Sequence, residues 1–340
     1  MNTTPNASPR PTSTRRPGRR LALLLGLTPL LLAACRGGGG TDTPTTPAAT
    51  TLTLGGVRTV DDQTVQLGVS ALDGSTLLKT GTFSDPAVTF TTAGVGGTAS
   101  ICGQIQAQDT VTAAVTLDAT GSMSSTDPGR LRQGAANAFV DRLTGASRAA
   151  ILSFEAGNTP GAGLLGSVLH QGMTDDKALL KAAITAATYE GGGTNFYDAV
   201  IDAANVASSS GGPGPIVLAL TDGIDNSSAN SPADAIAYAR ARGVRVYAVG
   251  LDATSSLDFT PLEEIASQTG GLFQSNVSAT DLAAYFDRLY NAVSAQGCVQ
   301  INLAAPPAPG TVVGGTVSVN VQDAGRADVR LSVPFEFTAR

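Results

Sequence analysis

The chain has no Trp, a single His, three Met and three Cys in 340 residues, and aromatic side chains make up 5% of it. Each shortage removes a class of function. With His170 as the sole imidazole, any Ser-His or Cys-His nucleophile scheme has one candidate base, and a lone His reads first as an ordinary strand or surface residue. There is no CxxC pair and no Cys/His cluster, so the usual zinc sites are excluded. Charged residues are only 14% of the chain and the formal net charge is −6, without a long basic run past residue 20. Nucleic acid and anionic membrane surfaces are poor partners for such a balance. No apolar run reaches the roughly 20 residues needed to span a bilayer.

What is there begins with an export address. Arg10, Arg15, Arg16, Arg19 and Arg20 precede the apolar run from Leu21 to Ala34, which ends at Cys35. A basic segment, a short apolar segment and small residues before a cleavage point make a signal peptide over residues 1–34. Leu32-Ala33-Ala34-Cys35 resembles the bacterial lipoprotein signal, which implies lipidation of Cys35 and an extracytoplasmic, lipid-anchored place in a bacterial envelope. Plain secretion with an incidental Cys is the alternative, and the paired arginines leave twin-arginine export open beside the general route. Removing 1–34 takes away five Arg and no acid, so the remainder carries 16 − 27 = −11. The membrane would then be met through the anchor alone. Residues 35–50, rich in Gly, Thr, Pro and Ala, read as a flexible tether. With Cys35 so used, Cys102 and Cys298 remain, and export favours a disulfide between them over two free buried thiols.

The remainder divides by its period. Val65, Leu67, Val69 and Ala71 alternate before a turn at Asp73-Gly74; Val317, Val319 and Val321 alternate before Asp323-Ala-Gly325; Val329, Leu331, Val333, Phe335 and Phe337 alternate after it. Period two with Gly/Asp turns predicts antiparallel sheet, and Pro334 pushes the last strand to an edge. Neither flank has enough strands for a stable sandwich, so residues 51–107 and 298–340 are expected to pair, with residues 108–297 inserted between them. Inside that insertion, strand-like runs (109–117, 148–154, 164–170, 215–220, 244–249, 272–277) alternate with helical ones (130–143, 175–187, 198–207). Ser231-Pro-Ala-Asp234 and Thr260-Pro-Leu-Glu263 read as capping boxes opening two further helices, and Thr280 as the cap of a final one. The expected fold class is α/β: a doubly wound, mainly parallel sheet inserted in a small antiparallel β-sandwich.

Three segments converge at the carboxyl ends of the expected parallel strands, where such sheets bind ligands. Asp118-Ala-Thr120-Gly-Ser122 follows the apolar run Ala113–Leu117. Asp222 follows the apolar run Pro215–Leu220 in Leu220-Thr-Asp222-Gly-Ile-Asp225-Asn226. Thr194 sits in Gly191-Gly-Gly-Thr194-Asn195, ahead of a helix. Two carboxylates and three hydroxyls suit a hard cation, Mg²⁺ or else Mn²⁺ or Ca²⁺. Singly, each motif is an ordinary turn or cap.

Together they resemble the von Willebrand factor type A domain, the integrin inserted-domain fold, over about residues 108–297. That family's metal-ion-dependent adhesion site reads Asp-x-Ser-x-Ser, then a distant Thr, then a distant Asp, matched here by Asp118, Thr120, Ser122, Thr194 and Asp222. Thr120 stands where Ser is commoner; it keeps the hydroxyl. The resemblance implies that Ser122 and Thr194 contact the metal directly, that Asp118 and Asp222 act directly or through water, and that one position stays open for an acidic side chain of a protein ligand. Asp225, Asn226 and Asn195 are expected to cap or orient. Asp127 and Glu155 are candidates for an auxiliary cation, and Asp198 and Asp202, at helical spacing, for a solvated face.

Enzyme readings fare badly. Asp118-Ala-Thr-Gly-Ser echoes Asp-Thr-Gly-Ser of aspartic proteases, but the extra Ala breaks the motif and no second copy exists. The second Asp of aspartyl-phosphate phosphatases is missing, and Gly37–Gly40 lacks the Gly-Lys-Ser/Thr of a phosphate loop. The expectation is therefore a non-enzymatic adhesion protein with a metal-dependent protein-binding site. A metal-independent envelope scaffold is the alternative.

Overall fold

The computed structural model describes residues 44–340 except 109, 189–190, 223–224, 252–256, 276–278 and 340. The signal peptide, Cys35 and most of the expected tether lie outside the described residues.

The centre is a six-stranded sheet. Its strands are β6 (Thr112–Asp118), β7 (Arg148–Phe154), β8 (Ser167–Thr174), β9 (Pro215–Thr221), β10 (Arg245–Gly250) and β11 (Phe273–Ser275), in the order β11-β10-β9-β6-β7-β8. All pairings are parallel except β7–β8. β6 is buried at every position, because helices cover both faces. One face packs α2 (Leu131–Arg142), α3 (Lys177–Ala186) and α7 (Ala279–Ser294) around Phe139, Ile184 and Phe286. The other packs α4 (Phe196–Ser209), α5 (Pro232–Ala241) and α6 (Thr260–Thr269) around Phe154, Phe196 and Val217. A short helix, α1 (Met123–Thr126), follows β6 directly. Among the described residues no helix is long and apolar enough to cross a membrane.

The flanks form two antiparallel sheets, and each sheet mixes both flanks. β1 (Thr51–Thr59), β2 (Thr64–Asp73), β12 (Ala295–Leu303) and β5 (Gly97–Ala107) lie in the order β1-β2-β12-β5, with β3 (Thr76–Leu77) on β2. β13 (Val312–Gln322) is flanked by β14 (Val329–Thr338) and β4 (Thr82–Phe90). Alternate residues such as Leu67, Val299, Val317 and Phe335 fill the core between them. Pro334 lies on β14, at an edge, where a missing N–H is tolerated. Cys102 on β5 and Cys298 on β12 form a disulfide with Cα atoms 4.9 Å apart.

Several local expectations need correction. The stretch read as tether packs from Thr46 onward: Ala327 N donates to Thr46 O at 2.7–2.8 Å, as Ala48 N does to Ala327 O, and Ala48 and Ala49 are fully buried. Small side chains let this polar stretch fit against the β13–β14 turn. β12 already begins at Ala295, ahead of the boundary expected at 298. The Thr260 capping box does not form. Thr260 is helical, and Asp258 takes over the cap role, accepting from Thr260 N at 3.0 Å and Thr260 Oγ1 at 2.6 Å. The final helix starts at Ala279, so Thr280 lies within it. The Ser231/Asp234 capping box is present in full.

Asp198 and Asp202 do not form a solvated face; both are buried. Asp202 accepts from Leu165 N at 2.7 Å and from Gly166 N and Ser167 N, each at 3.0 Å, and so holds the loop leading into β8. Replacing Asp202 with Ala leaves these backbone donors unpaired. We expect a loss of about 2–4 kcal/mol in urea unfolding, with no change in divalent-cation affinity.

Candidate metal centre

The parallel register places both candidate carboxylates at one sheet edge. Leu117 of β6 is opposite Leu220 of β9, so Asp118 and Asp222 leave neighbouring strands side by side. Both are essentially inaccessible to solvent. Asp118 Oδ1 accepts from Thr120 N at 2.8 Å and Thr120 Oγ1 at 2.5 Å, while its Oδ2 accepts from Thr221 Oγ1 at 2.5 Å. Thr120 Oγ1 lies 3.1 Å from Ser122 Oγ, which donates to Asp222 Oδ1 at 3.0 Å. Thr126 Oγ1 donates to the other oxygen of Asp222. Asp118, Thr120, Ser122 and Asp222 are therefore gathered into one hydroxyl–carboxylate network.

Thr194 is brought to the same end through its backbone. Gly191 N donates to Ala119 O at 2.9 Å and Gly121 N to Gly192 O at 3.3 Å, joining its loop to the Asp118 loop. Asn226 N and Ser227 N donate to Thr194 O, and Thr194 N donates to Asn226 Oδ1 at 3.0 Å, joining it to the Asp222 loop. The Thr194 hydroxyl has no hydrogen-bond partner among the described residues.

The orienting residues are now visible. Asp225 accepts from Tyr197 N at 3.0 Å and Ser228 Oγ accepts from Asp198 N at 3.1 Å, so the loop after β9 caps α4, which Thr194 precedes. Asp198 in return accepts from Ala229 N and Asn230 N. Asn195 donates from Nδ2 to Gly166 O at 3.1 Å. Asp127 caps α2 through Leu131 N and Arg132 N, and pairs with buried Arg132 at 2.9 Å. Glu155 is buried beneath the glycine loop, where a Cβ on Gly192 would lie 1.6 Å from Glu155 Oε2. Gly192 also holds φ 65°, a left-handed value. Gly192→Ala should therefore displace the Thr194 loop, cost about 1–3 kcal/mol, and weaken divalent-cation binding in calorimetric titration.

The electrostatics concern charge without a counter-charge. No Lys, Arg or His among the described residues pairs with Asp118 or Asp222. Burial, aided by the neighbouring Asp222 charge, pushes the Asp118 carboxyl up to about 6, although Thr120 and Thr221 donate to it. An isolated buried charge is expensive, and the local remedies are a proton or a bound cation. Among the described residues no group of three or more His, Cys, Asp or Glu gathers to hold a metal. The donors at this edge are instead two carboxylates with hydroxyls. That is an oxygen set suited to Mg²⁺ and unsuited to soft metals.

His170 lies on β8 with Nε2 2.7 Å from Ser153 Oγ, and burial lowers its pKa. Ser153 is fully buried, and among the described residues nothing completes a triad.

A doubly wound sheet with this oxygen-lined edge defines a ligand-binding module of the inserted-domain kind. The chain matches the von Willebrand factor type A domain over residues 114–288 and belongs to that family. Domains of this family are in general interaction modules. No curated protein matches the chain. Among solved structures, it is similar to proximal thread matrix protein 1 from the mussel byssus (21% identity, TM-score 0.45, covering 58% of this chain and 49% of that one). The chain thus spans about half the length of the mussel protein. It is also similar to a von Willebrand factor type A protein from Catenulispora acidiphila (14%, TM-score 0.42, 88% and 74%). A third likeness is to the corresponding domain of the type V pili tip protein Mfa5 from Porphyromonas gingivalis (14%, TM-score 0.41, 53% and 94%).

Proposed function

We propose that Asp118, Thr120, Ser122, Thr194 and Asp222 hold one divalent cation, Mg²⁺ before Mn²⁺ or Ca²⁺, and that this edge binds a protein ligand offering an acidic side chain. The observation that carries the reading is the pair of buried carboxylates at adjacent strand ends, met by hydroxyls and one backbone N–H but, among the described residues, by no cationic side chain. A bound cation would supply the missing positive charge and a Lewis-acidic contact for a partner's carboxylate. The chain's own residues do the rest. Thr120 and Thr221 orient Asp118, Ser122 and Thr126 orient Asp222, and Asn226 fixes the backbone of Thr194. The acidic balance of the chain would disfavour acidic partners except where the cation offsets it. The Cys35 signal supports placement on a bacterial envelope through a lipid anchor; incorporation of radiolabelled palmitate, abolished by Cys35→Ala, is the expected result.

Calorimetric titration of residues 36–340 with Mg²⁺, Mn²⁺ and Ca²⁺ tests the site. A saturable heat lost in Asp118→Ala is expected, and capture of a partner should be chelator-sensitive. A folded sample giving no heat at millimolar metal would discard the reading.

A further inference from the structure

The chain's acidic balance hides a local concentration of positive charge at the other end of the central sheet. Arg245 opens β10, Arg240 lies in the last turn of α5, and Arg58 reaches in from β1. All three line one cavity of about 240 Å³ between the central sheet and the outer face of the β1-β2-β12 sheet, and no carboxylate lines it.

Glycines make this approach possible. Gly56 pairs with Gly68 across β1 and β2, so neither strand raises a side chain at that point, and the Gln296 amide lies over Gly68 instead. A Cβ on Gly56 would fall 2.3 Å from Gly270 O, so the two layers touch backbone to backbone. The stems of Arg58 and Arg245 then flank Gly270 within 4 Å of one point.

The ordinary reading is that arginines complement helix C-termini. It accounts for Arg245, which donates from Nη1 to Ala292 O at 3.4 Å and to Gln296 Oε1 at 3.3 Å. It also fits Arg242, which stacks on Tyr238 and stays out of the cavity. The side chains of Arg58 and Arg240 make no hydrogen bond or ion pair with described residues. Gln296 adds a buried Nε2 that has no partner. Like charges drawn together around an unpaired amide donor, with no acid present, form a site short of an anion. Donors arriving from separate strands and a helix suit an oxyanion with three or four oxygens better than a planar carboxylate.

We propose that Arg58, Arg240 and Arg245, with Gln296, form a binding site for a phosphate-class oxyanion, supplied either as a soluble phosphate or as a phospholipid headgroup. The site is independent of the proposed cation centre. Arg58 and Arg240 are exposed, so Arg58→Gln and Arg240→Gln leave the core untouched. Residues 36–340 are titrated with sodium phosphate in chloride-free Hepes–acetate at constant ionic strength, followed by calorimetry and thermal unfolding. A saturable heat and a raised Tm are expected, weakened about tenfold by each substitution and unaffected by Asp118→Ala. Co-sedimentation with phosphatidylglycerol vesicles, against phosphatidylcholine vesicles, separates the sources. Retention lost in the Arg58→Gln/Arg240→Gln double variant assigns a headgroup, and phosphate heat without retention assigns a soluble anion. No saturable phosphate heat from folded protein, or the same heat in the double variant, overturns the proposal.

Discussion

Asp118→Asn should make the metal-free protein more stable at pH 8, not less. Its carboxyl is raised to about 6 from an ordinary 3.8, because burial and Asp222 both oppose the charge. A folded-state pKa above the unfolded value means that the folded chain holds the proton more tightly. The associated stability is fully present below about pH 4 and is lost as pH rises through 6. Above that, the charged Asp118 withholds on the order of 3 kcal/mol, at 1.36 kcal/mol per unit. Asn removes the charge and keeps an acceptor for Thr120 N; its amide meets Thr221 Oγ1, a hydroxyl able to accept as well as donate. In urea unfolding with chelator, the variant should therefore exceed the native chain at pH 8, and the difference should shrink toward pH 4. Saturating Mg²⁺ should reverse the order, since only the native carboxylate gains from the cation; a thousandfold excess over Kd contributes about 4.1 kcal/mol, more than the charge withholds. The affinity of the native chain for Mg²⁺ should fall as pH drops below 6, because proton and metal compete for the same oxygens. A variant less stable than the native chain in chelator would mean that Asp118 is held by its hydrogen bonds and not poised for a cation.

The sites that reasoning from residues located, and those it missed, differ in where their partners come from. β6, β7 and β9 were legible because strands buried on both faces are apolar along their whole length. The alternation in β2, β13 and β14 was legible because one face meets the core and the other does not. The gathering of Asp118, Thr120, Ser122 and Asp222 followed from strand ends in a parallel sheet. Asp198 and Asp202 were misread because their partners are backbone N–H groups more than thirty residues away, and nothing in a helix's own sequence announces them. At Thr260 two local caps competed, and Asp258, with a charged acceptor two residues earlier, took the role. The arginine cavity was hidden for a third reason: Arg58 is far in sequence from Arg240 and Arg245, and net charge averages over a surface.

Removing the disulfide with Cys102→Ala/Cys298→Ala should cost about 2–4 kcal/mol and leave the proposed cation site untouched. The bridge closes a sequence separation of 196 residues, for which chain entropy alone sets a limit of roughly 5 kcal/mol. The realised loss is smaller because the same two strands are held together without it. β5 and β12 are antiparallel neighbours from Ala107↔Ala295 to Gly97↔Leu303, and Gln108 N donates to Ser294 O at 2.6 Å where the chain passes into and out of the central sheet. The bridge sits where this ladder is weakest, since the register shifts on both sides of Cys298. Its loss should therefore show first as faster amide exchange in β5 and β12, while β6 and β9 keep their protection. Mg²⁺ heat should be unchanged, because the cation donors depend on strand ends in a different sheet. If reduction abolished the Mg²⁺ heat while β6 and β9 stayed protected, the flank sheet would be controlling the site directly, and the independence of the two halves argued from their separate cores would be wrong.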